Sequence, residues 1–285
     1  VTKLNSSIYL AGSKQKLLKD ILPHLQDGNR KTLLTPFSGS GVVELACIEQ
    51  DLFENYYSND LEEWVVRLHN KLKDPKFILD CKAVNDKYPS DKKSYLLMRE
   101  DYNQGKCQDD ALLFNLLMRS HSNRMRFSGQ GSKLKCNIPY GERNRFDMER
   151  MLKHHTLSQK MNVQQGGFAT FLNSFQDIDW GEVAIYADPP YQTGGKSGGA
   201  VYNTGWSDMD DDVLLANMLK YQQLGAKVVI SNVYFNRGFT FTKLINWCEE
   251  HSDKFDVYHL DMDYRNTAHV KYDGKKTDEV LIVSK

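Results

Sequence analysis

Asp188-Pro189-Pro190-Tyr191 directly follows an apolar run, Val183 to Ala187. Two successive prolines stiffen the chain and remove two amide donors. The carbonyl ahead of Pro190 therefore cannot be drawn into a regular helical turn. Beside it stand a carboxylate and, close by, an aromatic ring. These parts suit a planar ring that carries an NH2 group. Asp188 and the Pro189 carbonyl can each accept one amine hydrogen, and Tyr191 can stack on the ring. An adenine amine needs such help, because its lone pair is delocalised into the ring. Two acceptors aimed at its hydrogens favour the pyramidal form, whose lone pair can point at a methyl donor. Their effect grows as positive charge develops on N6, so it acts on the transition state more than on the ground state. The plainer reading of the same residues is a rigid strand-to-loop corner with an incidental Asp.

A second group is Pro36-Phe37-Ser38-Gly39-Ser40-Gly41. Gly39 and Gly41 let backbone approach a ligand closely, and the helix expected after them offers its N-terminus. Glu44 stands where a dinucleotide fingerprint has its third glycine. Asp60 closes the next strand about 20 residues on, where an acidic side chain can bind ribose hydroxyls. Together with the Asp188 corner, this points to a nucleoside-bearing cofactor. A third group is Tyr9-Leu10-Ala11-Gly12-Ser13-Lys14, in which Lys14 can reach a carboxylate or phosphate; an ordinary helix start with an exposed Lys is the alternative. Gly194-Gly195-Lys196-Ser197 mimics the end of a phosphate loop, but the required first glycine is Pro190. The stretch from Gly194 to Gly199 reads instead as a mobile loop over the site.

Between Arg119 and Arg145 the chain carries seven basic residues (Arg119, Arg124, Arg126, Lys133, Lys135, Arg143 and Arg145) against one acid, Glu142. A local excess of six positive charges suits phosphate contact. Gly129 and Gly131 mark a turn between two arms, so a hairpin is expected there. His154-His155 lacks partners at ligand spacing and reads as surface. No metal site is expected.

The elements that must position these residues follow from periodicity. Leu17, Leu18, Ile21, Leu22 and Leu25 share a helical face, giving a helix over about 14–25. Residues 32–37 read as a buried strand, 42–52 as a helix, and 56–59 as a second strand ending at Asp60. This strand, glycine turn, helix, strand unit belongs to doubly wound α/β folds. From Leu61 to about Lys160 charged helical stretches dominate (62–73, 92–102 and 109–118). A second, mostly helical domain is therefore expected at 61–160, inserted into an α/β domain of 1–60 plus 161–285. Further strands are expected at 183–187, 227–231, 256–260 and 279–283. Ser207 should cap a helix with Asp208, Asp210, Asp211 and Asp212 in its first turn, and Gly225 should stop it.

Composition bounds the rest. In 285 residues, 37 Lys and Arg balance 37 Asp and Glu, so global charge names no partner. The five cysteines are scattered without a C-x-x-C pair, as expected of reduced thiols in a cytosolic protein. Residues 1–10 are too short and polar for a signal peptide core, and no apolar run approaches the ~20 residues that span a bilayer. A soluble cytoplasmic protein with no membrane partner is expected.

Taken together, these residues resemble the Dam-like DNA adenine-N6 methyltransferases of bacteriophage and bacterial type (the D12 class). The order is the family's: a G-x-K segment (Gly12-Ser13-Lys14), the F-x-G-x-G turn (Phe37 to Gly41), a recognition domain, then D-P-P-Y. Asn59-Asp60, Arg99 to Asn103, Ser122-Asn123, Arg126, Pro139-Tyr140-Gly141, Ser231-Asn232-Val233 and Thr277 to Val280 extend it over nearly the whole length. The resemblance implies a Rossmann-like methyltransferase sheet with an inserted, mostly helical target-recognition domain carrying a β-hairpin. It implies S-adenosyl-L-methionine as cofactor. Tyr9, Leu10, Lys14, Phe37, Ser38, Gly39, Gly41, Asp60 and Asp188 are its expected contacts, with Phe37 near the adenine. It implies duplex DNA as substrate, with a flipped adenine. Ser122, Asn123, Arg124, Arg126, Lys133, Lys135, Pro139, Tyr140 and Arg143 are the expected DNA-facing residues, Arg126 and Pro139 at the target base pairs. A cognate restriction endonuclease, a monomeric state and a bacterial or phage-infected cell are the expected setting. GATC is the first site to test. Arg124 stands where the family often has an apolar contact to a thymine methyl, so a related GAT-containing site is the alternative.

Two other readings compete. An RNA adenine or protein amide needs similar acceptors, though protein-glutamine enzymes usually show N-P-P-Y where this chain has Asp188. A catalytically silent DNA-binding protein could use the same fold. A cytosine-C5 enzyme is excluded, because no Pro-Cys pair supplies its nucleophile.

Overall fold

The computed structural model describes residues 6–26, 28–105, 107–129, 131, 134–191, 205–236, 238–260 and 277–285. Packing divides the chain into two compact units. The sheet unit comprises Leu17–Ser38, Leu52–Leu61 and Gly166–Lys285; the helical unit comprises Val1–Lys16, Gly39–Asp51 and Glu62–Gln165. The expected division placed 1–60 wholly with the sheet. By packing, the N-terminal segment and the Val42–Glu49 helix go with the helical unit instead.

In the sheet unit the strands run in the order Asn55–Asp60, Thr32–Thr35, Val183–Ala187, Lys227–Asn236, Asp278–Ser284, Phe255–Leu260. The first four are mutually parallel. Asp278–Ser284 lies antiparallel between its two neighbours, making the sheet mixed. Thr32–Thr35 and Val183–Ala187 are buried at every position, which is why neither alternates between polar and apolar residues. Leu34, Ile185, Val228, Ile230, Val280 and Ile282 pack with Leu214, Leu215, Met218 and Leu244 from helices. Each such side chain contributes about 1.5–3 kcal/mol on burial. The Asp208–Gln223 helix opens on a complete capping box: the Ser207 side chain accepts from the Asp210 amide, and the Asp210 side chain accepts from the Ser207 amide. Gly225, at φ 102°, ends it as expected. The first helix is shorter than its apolar spacing suggests. A 3-10 turn, Lys14–Leu17, precedes an α-helix that is only Leu18–Leu25.

The helical unit is built from Glu63–Lys71, Pro75–Lys87, Lys92–Gln104, Asp110–Arg119 and Met148–Ser158. Asp74, Asp91, Asp109 and Asp147 each cap one of them by accepting a first-turn amide. The Pro75 helix was not expected from apolar periodicity. Its signal was local: Asp74 as cap with proline at the first helical position. Asp110–Arg119 is the central element, with every residue from Ala111 to Arg119 buried. The expected hairpin is present but short: Phe127 pairs with Cys136 and Ser128 with Lys135.

Among the described residues, no helix is long and apolar enough to cross a membrane. Among them, too, no group of three or more His, Cys, Asp or Glu could hold a metal ion.

Candidate active site

In the sheet unit, the chain leaves Thr32–Thr35 for its neighbour on one side and Val183–Ala187 for its neighbour on the other. Strand order therefore reverses between these two adjacent parallel strands. Open α/β sheets form a crevice beyond the carboxyl ends of the strands at such a point. Phe37 lies two residues past the first strand, Asp188 directly follows the second, and Asp60 ends the adjoining Asn55–Asp60 strand. The paired registers Thr35 with Ser58 and Leu34 with Ile185 bring these ends to one edge.

Short bonds fix that edge. The Ser38 amide donates to the Asn59 carbonyl at 2.8 Å. The Asn59 side-chain amide donates to Pro36 O at 3.1 Å and Gly166 O at 2.8 Å. Its other atom, Oδ1, is a buried acceptor with no partner among the described residues. Phe37 meets Phe168 at 5.3 Å and Trp206 at 5.6 Å between ring centroids, and those two rings lie 5.6 Å apart. All three are half-buried, so they form a partly open aromatic platform. Phe168 and Trp206 were missed in the sequence. They lie 131 and 169 residues after Phe37 and carry no motif of their own. Trp206 is held by its indole N–H, which donates to Asp211 Oδ1 at 2.7 Å.

At the Asp188 corner, the Tyr191 hydroxyl donates to Asp188 Oδ1 at 3.0 Å. The ring is thus tethered by its tip to the carboxylate. Burial, then the adjoining Asp188 and Glu279 carboxylates, hold that hydroxyl well above its ordinary pKa, so it remains a donor. Pro189 is buried, and Asp188, Pro190 and Tyr191 are half-buried. The expected loop at Gly194–Gly199 lies outside the described residues.

In the helical unit, Gly39 and Gly41 both have positive φ, 51° and 68°. A Cβ on Gly41 would come within 2.6 Å of the His69 ring, so only glycine fits there. Lys14 is buried, not exposed, and its Nζ donates to Gly12 O at 3.2 Å. Leu10 is half-buried against the helical core. The Tyr9 ring carries the guanidinium groups of Arg145 and Arg150, each 4.8 Å from its centroid, and its hydroxyl contacts Arg150.

Two expectations in this unit are corrected. His154 is not on the surface. It is fully buried, its Nδ1 accepts from the Ser7 amide at 3.1 Å, and only its neighbour His155 is half-exposed. Arg119 is not available to phosphates. Its guanidinium is fully buried and donates to the carbonyls of Tyr88 at 2.6 Å, Pro89 at 3.2 Å and Asn85 at 3.2 Å, and to Asn85 Oδ1 at 2.8 Å. The helix that carries it packs on all sides, which a charge count along the chain cannot register.

The other expected DNA-facing residues divide by exposure. Ser122, Arg126, Lys135, Pro139 and Arg143 are exposed, Arg124 and Tyr140 are half-buried, and Asn123 is buried. Lys133 lies outside the described residues. Arg126 is already oriented: its Nε donates to Asn137 Oδ1 at 2.6 Å and its Nη2 to Asn137 O at 3.2 Å. Tyr140 donates to Ser90 O at 2.9 Å, and the Gly141 amide to Arg119 O at 2.8 Å, tying the Pro139-Tyr140-Gly141 segment to the buried core.

The buried histidines give a pH prediction. Burial, with a smaller effect from Lys73, lowers His69 from 6.5 to about 4, outweighing the Gly39 hydrogen bond. Burial also holds His154 well below its ordinary value. The unfolded chain takes up these protons as pH drops below about 6.5, whereas the folded chain resists until near 4. This contribution to stability is complete above pH ~6.5 and is lost as the pH falls towards 4. Melting temperature should therefore fall between pH ~7.5 and ~5, and fall less steeply in a His69→Leu variant. Equal slopes in the two proteins would remove His69 from the account.

The model of the D12 class N6 adenine-specific DNA methyltransferases matches residues 10–262. Modification methylase StsI of Streptococcus sanguinis is 27% identical over 291 residues, covering 99% of this chain and 43% of that protein. Type II methyltransferase M.FokI of Planomicrobium okeanokoites is 25% identical over 295 residues, again 99% and 43%. The chain thus spans less than half the length of these two relatives. Among solved structures, an rRNA methylase from Streptococcus thermophilus overlays with a TM-score of 0.43 at 9% identity, covering 97% of this chain and 99% of that one. Precorrin-6y C5,15-methyltransferase from Geobacter metallireducens gives 0.42 at 10% identity, covering 97% and 93%. Because the family match runs through the glycine turn, the helical unit and the Asp188–Tyr191 corner alike, the chain belongs to the D12 class N6 adenine-specific DNA methyltransferase family.

Proposed function

We propose that this chain transfers a methyl group from S-adenosylmethionine to N6 of an adenine flipped out of duplex DNA. The observation that carries this is the placement of Asp188, Phe37 and Asp60 at adjoining carboxyl ends of parallel strands, where strand order reverses. The residues present fit the cofactor: an aromatic platform for a base, a buried acceptor at Asn59 Oδ1 without a partner among the described residues, and a strand-end carboxylate at Asp60. In the helical unit, Lys14 and the Gly39–Gly41 turn are cofactor contacts that the family resemblance implies. When bound, the cofactor supplies an electrophilic sulfonium methyl. Asp188 and the Pro189 carbonyl accept from the adenine amine and hold its lone pair out of the ring. Tyr191 stacks on the base. N6 of a paired adenine is tied up in the duplex, so the base must leave the stack.

The test is expression with a plasmid substrate, followed by single-molecule mapping of N6-methyladenine. Modification should fall at one short sequence, GATC or a related GAT-containing site. In vitro, 2-aminopurine at the target position should brighten on binding. Transfer to RNA with none to duplex DNA would replace this reading with the RNA one. A cognate restriction endonuclease acting on the same site is part of the proposal, and fits the modification-methylase names of the relatives.

Asp60 should bind the ribose hydroxyls. A charge-assisted hydrogen bond is worth on the order of 1.5–3 kcal/mol. Asp60→Ala should therefore weaken S-adenosylmethionine binding by about tenfold or more, measured by calorimetry. An unchanged dissociation constant would place the ribose contact elsewhere.

Recognition is assigned to the helical unit, through the hairpin and its flanks. With Nε and Nη2 engaged by Asn137, Arg126 keeps its Nη1 end for a base edge. A guanine read through O6 and N7 discriminates by about 1–3 kcal/mol. Arg126→Ala should relax choice at one guanine position, whereas Lys135→Ala should weaken all sequences evenly and flatten the salt dependence. Uniform loss from Arg126→Ala would make it a phosphate contact.

A further inference from the structure

His69 touches the Gly39-Ser40-Gly41 turn in two ways. Its Nε2 lies 2.9 Å from Gly39 O, and its ring fills the space beside Gly41 where a Cβ would sit. A carbonyl can only accept, so Nε2 carries the proton and Nδ1 is a bare acceptor. That Nδ1 is buried with no hydrogen-bond partner among the described residues. The His154 ring lies beside it, 5.6 Å between centroids. The Ser7 amide donates to His154 Nδ1 at 3.1 Å, so in the neutral ring the proton sits on Nε2, which is also buried without a partner among the described residues. The two unpartnered atoms are thus one acceptor and one donor, on adjacent rings kept neutral by burial. The Ser7 amide thus holds His154, and the His154 ring packs against the His69 ring that bonds the Gly39 carbonyl. One residue away, the Ser6 hydroxyl donates to Ser40 O at 2.5 Å. Two successive carbonyls of the turn are thus held, Gly39 O by His69 and Ser40 O by Ser6.

In a trans peptide the carbonyl and the following N–H point in opposite directions within one rigid plane. None of the described peptide bonds is cis. Fixing Gly39 O thus fixes the Ser40 amide, and fixing Ser40 O fixes the Gly41 amide, both directed away from His69 and Ser6. We propose that His69, backed by His154, is a positioning residue that orients the amide donors of the Gly39-Ser40-Gly41 turn for the cofactor. This rests on the proposed cofactor role of that turn. Glycine leaves such a turn free to rotate its peptide planes, and the histidine pair removes that freedom from the side opposite the amides.

The test compares His69→Leu, which keeps the apolar volume but cannot donate, with His69→Gln, whose amide nitrogen can reach Gly39 O. Both are assayed for S-adenosylmethionine affinity by calorimetry, for cofactor KM and kcat on duplex DNA, and for melting temperature, below the melting range of each. His69→Leu should raise the cofactor Kd and KM about fivefold or more while kcat at saturating cofactor stays within about twofold. His69→Gln should return both to within about twofold of the parent. Should His69→Leu not fold, His69→Asn, one methylene short of the carbonyl, takes its place with the same expectation. Unchanged cofactor affinity in the donor-deficient variant overturns the proposal, as does equal impairment by Gln and Leu, which would mean packing alone. Phe37→Ala and Asp60→Ala are run alongside. If they weaken cofactor binding and His69→Leu does not, only the positioning role fails. If neither affects it, the cofactor reading fails and takes the positioning role with it.

Discussion

Asp188→Ala should remove methyl transfer, by at least about a hundredfold in kcat, and leave the fold intact. Removing one preorganised polar group aimed at developing charge costs on that scale. Asp188 follows the strand rather than supporting it, and it is half-buried, so its loss opens no core cavity. Asp188→Asn should be nearly as damaging, since an amide is a weaker acceptor and carries no charge. The Tyr191–Asp188 hydrogen bond adds a distinction that the sequence could not offer. Tyr191→Phe removes the tether but keeps the stacking face, whereas Tyr191→Ala removes both. Base stacking on an aromatic ring is worth about 1–3 kcal/mol. The order of activity should therefore be parent, then Tyr191→Phe, then Tyr191→Ala, with Asp188→Ala lowest. Single-turnover rates on duplex DNA, with circular dichroism to verify folding, test the series. Substantial turnover by a folded Asp188→Ala protein would end the assignment.

Arg119→Met should destabilise the protein by at least about 3 kcal/mol, the second large effect. The guanidinium is fully buried, and it donates to three carbonyls and one side-chain oxygen in the 85–89 segment. Methionine matches much of the stem but leaves those oxygens without donors, and hydrogen bonds from a charged donor are worth about 1.5–3 kcal/mol each. The loss should extend to DNA. Arg119 O accepts from the Gly141 amide, and Tyr140 and Asn144 donate into the same 85–90 stretch, so the Pro139–Arg143 segment depends on that anchor. Denaturant unfolding should show the drop, and DNA affinity should fall by more than cofactor affinity. A variant as stable as the parent, with unchanged DNA binding, would show the clasp to be dispensable.

The α/β pattern was legible because its strands are short apolar runs closed by a glycine turn, a proline pair or an acid. Those signals are local, and Val183–Ala187 matched to the residue. The Asp188 corner and the Phe37 turn stood out as candidates for the same reason: each is a contiguous motif beside a strand end. The Pro75–Lys87 and Met148–Ser158 helices were not expected, because their apolar stripes are interrupted by charge. The Asp caps before them, with Pro75 at the first position of one, announce where they begin.

What the sequence by itself determined was therefore the family, the fold class and the order of the chemical groups along the chain. It could not determine which charges are buried. Arg119 and Arg126 are seven residues apart in one basic stretch, yet one is fully buried among carbonyls and the other is exposed. Nor could it assemble Phe37, Phe168 and Trp206 into one platform, or set His154 beside His69 behind the Gly39–Gly41 turn. Burial and side-chain pairing depend on which segments close on one another across a hundred residues or more. Periodicity and capping act over a few residues and carry no information about that closure, so only the tertiary structure decided it.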